Sequence, residues 1–236
     1  MTGHRVLVVD DDPHIARALQ INLKARGWDV TTAADGATAL HLAETTRPDV
    51  VVLDLGLPDM DGLEVIGLLR SRTPAPVVVL SARQLGEDKV DALDRGADDY
   101  VTKPFGMDEL AARLRVAVRR AAPGQDATVV DAGDLRVDLG GKRVFRDGAE
   151  VRLTPTEWAM LEVLVRNRGR LVAGPQLLHE VWGPAYRTES NYLRVYAAQL
   201  RRKLEADPAH PVHLITQPGR GYVFEPGPAG DARSVR

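Results

Sequence analysis

Three short, unbroken apolar runs limit how this chain folds: Val6–Val9, Val50–Leu53 and Val77–Leu80, each stopped by a polar residue. Aliphatic residues without alternation suit strands covered on both faces, as in a parallel sheet between helices. Between the runs lie segments with helical spacing, such as Ile15, Leu19 and Leu23 ahead of Gly27, and Leu63, Ile66 and Leu69. Asp12-Pro13 supplies a cap and a first-turn proline, and Gly27 a helix stop. Asp29–Ala33 and Asp99–Val101 read as two further strands, and Met107–Arg120 as a closing amphipathic helix. Five strand–helix units predict an α/β fold with a doubly wound five-stranded parallel sheet.

That unit uses only half of the 236 residues. The chain holds 31 Lys+Arg and 33 Asp+Glu, a formal charge of −2 that announces no strongly charged partner. The halves differ, however. Residues 1–122 carry 15 basic against 19 acidic residues, and residues 123–236 carry 16 against 14. Eight of the eleven aromatics also fall in the second half. Ala121–Ala127 is small and polar around a Pro-Gly pair, which reads as a linker. The expected organisation is a first domain at 1–121, a linker at 122–128, a second domain at 129–227 and a disordered tail at 228–236. Cysteine is absent, which excludes disulfides, thiolate metal sites and Cys nucleophiles and fits a reducing cytoplasm. No apolar run approaches the roughly 20 residues of a membrane span. Only four apolar residues precede three aspartates at the start, so no secretory leader is expected.

The chemistry gathers where strands end. Asp10 and Asp11 close the first strand, Asp54 the third and Ser81 the fourth, while Lys103 follows the fifth. Doubly wound sheets bind ligands outside the carboxyl ends of their strands. Three converging carboxylates repel one another unless a cation intervenes, and Mg²⁺ with retained waters suits such oxygen donors. With Lys103 as a fixed charge and Ser81 as a hydroxyl donor, the site accepts a phosphoryl group on a carboxylate oxygen. Nearby acids have plainer uses: Asp12 as a helix cap, and Asp59 and Asp61 in the turn around Pro58 and Gly62.

Val8-Val9-Asp10-Asp11-Asp12, Leu53-Asp54-Leu55-Gly56-Leu57-Pro58-Asp59-Met60-Asp61-Gly62, Ser81-Ala82-Arg83 and Lys103-Pro104-Phe105 resemble the receiver domain of two-component response regulators, over residues 5–120. The resemblance implies that Asp54 is the phosphoacceptor. It implies that Asp11 ligates Mg²⁺ directly, Asp10 through water, and Gly56 through its carbonyl. Ser81 and Lys103 would bind phosphoryl oxygens, and the Lys103–Pro104 bond would be cis. Ser81 and Tyr100 would form the switch, Tyr100 rotating inward. Lys89 with Glu109, Asp99 with Arg113, and Asp98 with Arg115 would pair across a receiver homodimer formed on phosphorylation. Taken alone, these charges are a solvated helix face, and exposed ion pairs are worth only about 0–1 kcal/mol each.

After the linker come strand-like pieces at Leu135–Leu139, Arg143–Phe145 and Glu150–Leu153. Thr154-Pro155-Thr156-Glu157 opens a helix with a capping box. A second helix is expected over Pro175–Trp182 and a third over Glu189–Glu205. On the third, Leu193, Ala197, Leu200 and Leu204 form the expected buried stripe. Asn191, Val195, Ala198 and Arg202 lie opposite, flanked by Tyr192, Arg194, Gln199 and Arg201. Residues 190–204 hold four basic residues and no acid. Cations, amides and an outward Val suit a major groove, reading bases and phosphates. A hairpin follows, Val212–Thr216 and Tyr222–Phe224, with Arg220 at its tip.

This order resembles the winged helix-turn-helix effector of the transcription-factor branch of response regulators, over about 130–225. The resemblance implies a recognition helix at 189–205, Thr216 on phosphate, Arg220 in the minor groove, and Gly183–Thr188 as the loop meeting RNA polymerase. Leu55-Gly56-Leu57-Pro58-Asp59, Asp88-Lys89-Val90, Phe105-Gly106-Met107-Asp108-Glu109 and Tyr192-Leu193-Arg194-Val195-Tyr196 are most similar to regulators of the high-affinity potassium-transport operon. So is Arg201-Arg202-Lys203-Leu204-Glu205.

The expectation is a cytoplasmic transcription factor, phosphorylated by a sensor histidine kinase and bound to promoter DNA at repeated half-sites, with no enzymatic turnover and no membrane contact. Two alternatives stand beside it. One is a constitutive DNA-binding protein with an inert receiver. The other is an aspartyl-phosphate hydrolase, which would want a second Asp two residues after the nucleophile, where Gly56 stands.

Overall fold

The structure, a computed structural model, describes residues 3–82, 86–121, 128–184, 186 and 190–227. Arg83, residues 122–127 of the expected linker, residues 185, 187 and 188 of the Gly183–Thr188 loop, and the expected tail at 228–236 lie outside the described residues. The chain divides into two compact units, Met1–Ala121 and Ala122–Arg236.

The first unit alternates strands and helices: β1 (Arg5–Val9), α1 (Pro13–Ala25), β2 (Asp29–Ala33), α2 (Gly36–Thr46), β3 (Val50–Asp54), α3 (Gly62–Arg72), β4 (Val77–Ser81), α4 (Gly86–Asp94), β5 (Asp99–Thr102) and α5 (Met107–Ala121). All strand pairs are parallel, in the order β2-β1-β3-β4-β5. The chain leaves β1 for β2 on one side and returns to β3 on the other. The crevice over the carboxyl ends of β1 and β3 is therefore the switch point. Every residue of β3 and β4 is buried, which explains their continuous apolarity. Val6, Val8, Val52 and Leu80 pack with Leu19 and Leu23 of α1 and Leu110 and Leu114 of α5. Each such burial is worth about 1.5–3 kcal/mol. Asp12 caps α1 by accepting from the His14 and Ile15 N–H groups.

The second unit begins with an antiparallel four-stranded sheet: β6 (Val129–Ala132), β7 (Leu135–Asp138), β8 (Arg143–Arg146) and β9 (Ala149–Val151). Then come α6 (Pro155–Arg166), β10 (Val172–Ala173), α7 (Gly174–Trp182), α8 (Ser190–Leu204), β11 (Leu214–Gln217) and β12 (Gly221–Phe224). Strands β10, β12 and β11 form a second sheet. Thr154 and Glu157 close the capping box of α6 reciprocally, as their spacing predicts. Three helices followed by a two-stranded wing make this a winged-helix fold. β6 and β10 were not marked by the sequence: β6 alternates weakly, and β10 is two residues long.

Candidate functional site

Asp10 directly follows β1, Asp54 ends β3 and Ser81 ends β4, so sheet register alone brings them to one edge. Oxygens of Asp10, Asp11 and Asp54 lie within 4.8 Å of one another. Lys103, after β5, reaches into the cluster. Its Nζ is 2.8 Å from Asp54 Oδ1 and 3.0 Å from Asp10 Oδ2. The lysine is anchored by its backbone N–H, which donates to the Ser81 carbonyl, and the Lys103–Pro104 peptide is cis. Ser81 is buried, and the Gly56 N–H donates to Asp54 Oδ2 at 2.9 Å.

Burial pushes the Asp10 carboxyl above its ordinary value, and this outweighs the opposing hydrogen bonds from Lys103 and the Asp12 N–H. Burial alone would lower the Lys103 ammonium. Its hydrogen bonds to Asp54 and Asp10 reverse that and hold it above the usual lysine range. Crowded carboxylates with one fixed cation favour an incoming positive ion. Three hard oxygen donors at this spacing fit Mg²⁺.

The face at α4, β5 and α5 departs from what the resemblance implies. Asp98 is fully buried: Arg70 Nη2 donates to its Oδ2, which also accepts from the Val77 N–H at 2.9 Å. It therefore does not stand out to meet Arg115 of another chain, because a buried carboxylate needs its partner inside. Arg113 reaches Asp99 at 3.3 Å and Glu109 at 2.6 Å within its own chain. Lys89 lies half-buried on α4, and Arg115 and Glu109 are exposed on α5. Tyr100 is buried.

In the second unit, α8 packs against α6, α7 and β11, so its buried face is wider than one stripe. Tyr192, Val195 and Gln199, expected on the groove-facing side, are buried. Tyr192 meets Trp182 edge-on with centroids 5.4 Å apart, and Tyr186 at 5.8 Å. Asn191, Arg194, Ala198 and Arg202 stay exposed, spaced to form one stripe. Arg201 also departs from the expectation. Its Nε and Nη2 donate to the Leu214 carbonyl at 2.9 and 2.7 Å, and Nη2 to Thr216 Oγ1 at 2.6 Å. Two residues expected on DNA thus bind each other and join α8 to the wing. Arg220 is exposed in the β11–β12 turn.

The wing has a second anchor that sequence spacing did not reveal. His213 Nε2 lies 2.9 Å from Asp134 Oδ1, and its Nδ1 lies 3.0 Å from the Glu225 carbonyl. Burial would raise the Asp134 carboxyl, but the His213 hydrogen bond leads the contacts that hold it below the ordinary range. Glu205, just past α8, accepts from the N–H groups of Val212, His213 and Leu214. Such partners are 79 and up to 9 residues apart, and no local pattern links them.

Comparison with known proteins adds an independent measure. Residues 6–115 match the response regulator receiver domain family, and residues 148–224 match the family of the transcriptional regulatory protein C terminus. The transcriptional regulatory protein KdpE of Mycobacterium tuberculosis is 64% identical over 222 residues, 93% of this chain and 98% of that protein. The KDP operon transcriptional regulatory protein KdpE of Escherichia coli is 48% identical over 220 residues, 93% and 98% of the two chains. Among solved structures, a RitR mutant matches with a TM-score of 0.77 at 27% identity, covering 94% of this chain and 99% of that one. DrrB of Thermotoga maritima, described as an OmpR/PhoB homolog, matches at 0.51 and 31% identity with the same coverage. No helix among the described residues is long and apolar enough to cross a membrane.

Proposed function

Because the chain belongs to the response regulators of two-component systems, in the OmpR/PhoB branch of winged-helix transcription regulators, we propose that Asp54 is its phosphoacceptor and that phosphorylation there governs promoter occupancy. The observation that carries this is the cluster of Asp10, Asp11 and Asp54, whose oxygens converge within 4.8 Å beside Lys103. A sensor histidine kinase is the donor. An Asp54 carboxylate oxygen forms the new P–O bond as the donor's P–N bond breaks, and the leaving imidazole takes the electron pair.

The Gly56 N–H holds Asp54 Oδ2, which leaves Oδ1 as the oxygen facing Lys103. Lys103 balances charge on the arriving phosphoryl oxygens, and the Ser81 hydroxyl donates to one of them. Mg²⁺ would be held by Asp11, Asp54 and the Gly56 carbonyl, with Asp10 acting through water. When bound, it supplies charge neutralisation at those oxygens. The phosphorylated receivers pair, and two effector units occupy half-sites one helical turn apart on promoter DNA. The Asn191, Arg194, Ala198 and Arg202 stripe faces the major groove, Arg220 the minor groove, and the α7–α8 loop RNA polymerase. The regulated genes are those of a high-affinity potassium-transport operon, in keeping with the two KdpE relatives, and the protein works in the cytoplasm.

Footprinting a tandem half-site, with and without acetyl phosphate, tests this reading. Phosphorylation of the wild type should tighten occupancy by ~10-fold or more, and Asp54→Asn should take up no phosphoryl and show no gain. Equal occupancy before and after verified phosphorylation of the wild type would instead support an inert receiver.

A further inference from the structure

The loop after β3 carries the Gly56 backbone and is tied down at a point remote from the phosphoacceptor. Asp59, near its outer end, reaches α2: the Gly36 N–H donates to Oδ1 at 2.8 Å and the Ala37 N–H to Oδ2 at 2.9 Å. Those N–H groups belong to the first turn of α2, which has no partners of its own for them. The helix's own cap, Asp35, serves a third one, Thr38 N–H, at 2.7 Å. Next to Asp59, Met60 lies so close to Gly36 that a Cβ there would sit 2.6 Å from Met60 Cγ. At the loop's other end Gly62 returns against Leu55, where a Cβ would meet Leu55 Cα at 2.5 Å. Asp61 caps α3 at Leu63 N–H. Residues 55–61 are thus closed at their base and pinned at their outer edge by one exposed carboxylate.

The geometry points to Asp59 as a positioning residue for the phosphoacceptor site: it holds the loop against the start of α2 so that the Gly56 backbone keeps its place beside Asp54. This rests on the reading of Asp10, Asp11, Asp54 and Gly56 as a Mg²⁺ site. The hydrogen bonds from the Gly36 and then the Ala37 N–H hold the Asp59 carboxyl below the ordinary carboxylate range, so it is ionised when the site operates. A carboxylate that serves only as a helix cap would stabilise α2 and nothing more. One that also fixes the loop would tune an ion it never touches; partners bonded directly to a metal ligand are worth about 10–100-fold in affinity, and Asp59, acting through the loop, belongs at the low end of that range.

Asp35 makes the two roles separable, since it caps the same helix without belonging to the loop. Full-length wild type, Asp59→Ala, Asp59→Asn and Asp35→Ala are titrated with MgCl₂ by calorimetry, and each is melted in chelator. Asp59→Asn keeps the shape and guards against a packing loss in the alanine variant. Both alanine variants should melt lower than wild type. Only the Asp59 variants should lose Mg²⁺ affinity, by about tenfold in Asp59→Ala. They should also need correspondingly more Mg²⁺ to reach half-maximal labelling by acetyl phosphate. Wild-type Mg²⁺ affinity in both Asp59 variants, or an equal loss in Asp35→Ala, overturns the inference. Absence of Mg²⁺ uptake by the wild type is a separate outcome: it overturns the metal-site reading itself and removes the inference with it.

Discussion

Lys103 is the residue on which the acidic pocket depends in the resting protein. Its side chain is 19% exposed and its ammonium touches both Asp10 and Asp54, so it acts as a resident counter-ion. Replacing it with Met leaves three carboxylates crowded around an apolar chain, and losing one partner of a part-buried pair costs about 2 kcal/mol. Denaturant unfolding in chelator should show that loss. Mg²⁺ should then stabilise Lys103→Met more than wild type, because a ligand that binds only the folded state stabilises it by mass action. The pH dependence has a definite sign. A carboxyl raised in the folded state, as Asp10 is, makes the native protein hold more protons than the unfolded chain, so stability rises as pH falls through the raised value. Without Lys103 the rise is steeper, and the deficit should narrow on acidification. Equal stabilities in chelator at every pH would refute the counter-ion role.

Strands and helices differ in how openly the sequence displays them, and α8 shows why. Continuous apolar runs are enough to identify β1, β3 and β4, because those strands are buried on both faces. The register of a parallel sheet then delivers Asp10, Asp54 and Ser81 to one edge without further information. On α8 a helical wheel orders residues by angle but cannot say how many neighbours surround the helix. Contacts with α6, α7 and β11 cover Tyr192, Val195 and Gln199, which the wheel had placed outside. The same ambiguity hid the pairing of Arg201 with Leu214 and Thr216, and of Arg70 with Asp98, since both join residues distant in sequence. Neighbouring arginines should therefore behave differently. Arg201→Ala removes three hydrogen bonds between α8 and β11 and should cost about 1–3 kcal/mol of stability along with DNA affinity. Arg202→Ala, on the exposed stripe, should lower the melting temperature less than Arg201→Ala does while weakening DNA binding and lowering the salt slope by about 1. An unchanged affinity for Arg202→Ala across salt concentrations would rule out that stripe as the groove face.

For the whole molecule, the proposed function poses an energetic question: how a small charge event at Asp54 would change the affinity of a separate DNA-binding unit. The charges on the receiver face are not waiting for a second chain: Arg113 already binds Asp99 and Glu109 of its own chain. Pairing of receivers would exchange contacts of a largely buried arginine rather than create them, so each exchanged pair nets no more than an exposed one does, about 0–1 kcal/mol. That is too little for a tight dimer in solution. It would be enough on the proposed tandem half-sites, where a second site one turn away would make the second binding event intramolecular. Arg113→Ala should then leave the affinity of the phosphorylated protein for a single half-site unchanged. Its affinity for tandem half-sites should fall, but by no more than about thirtyfold, the equivalent of two symmetric pairs at ~1 kcal/mol each. Gel-shift titrations of the two probes measure both quantities. A parallel loss on the single half-site would show that Arg113 acts on the effector unit instead of on receiver pairing.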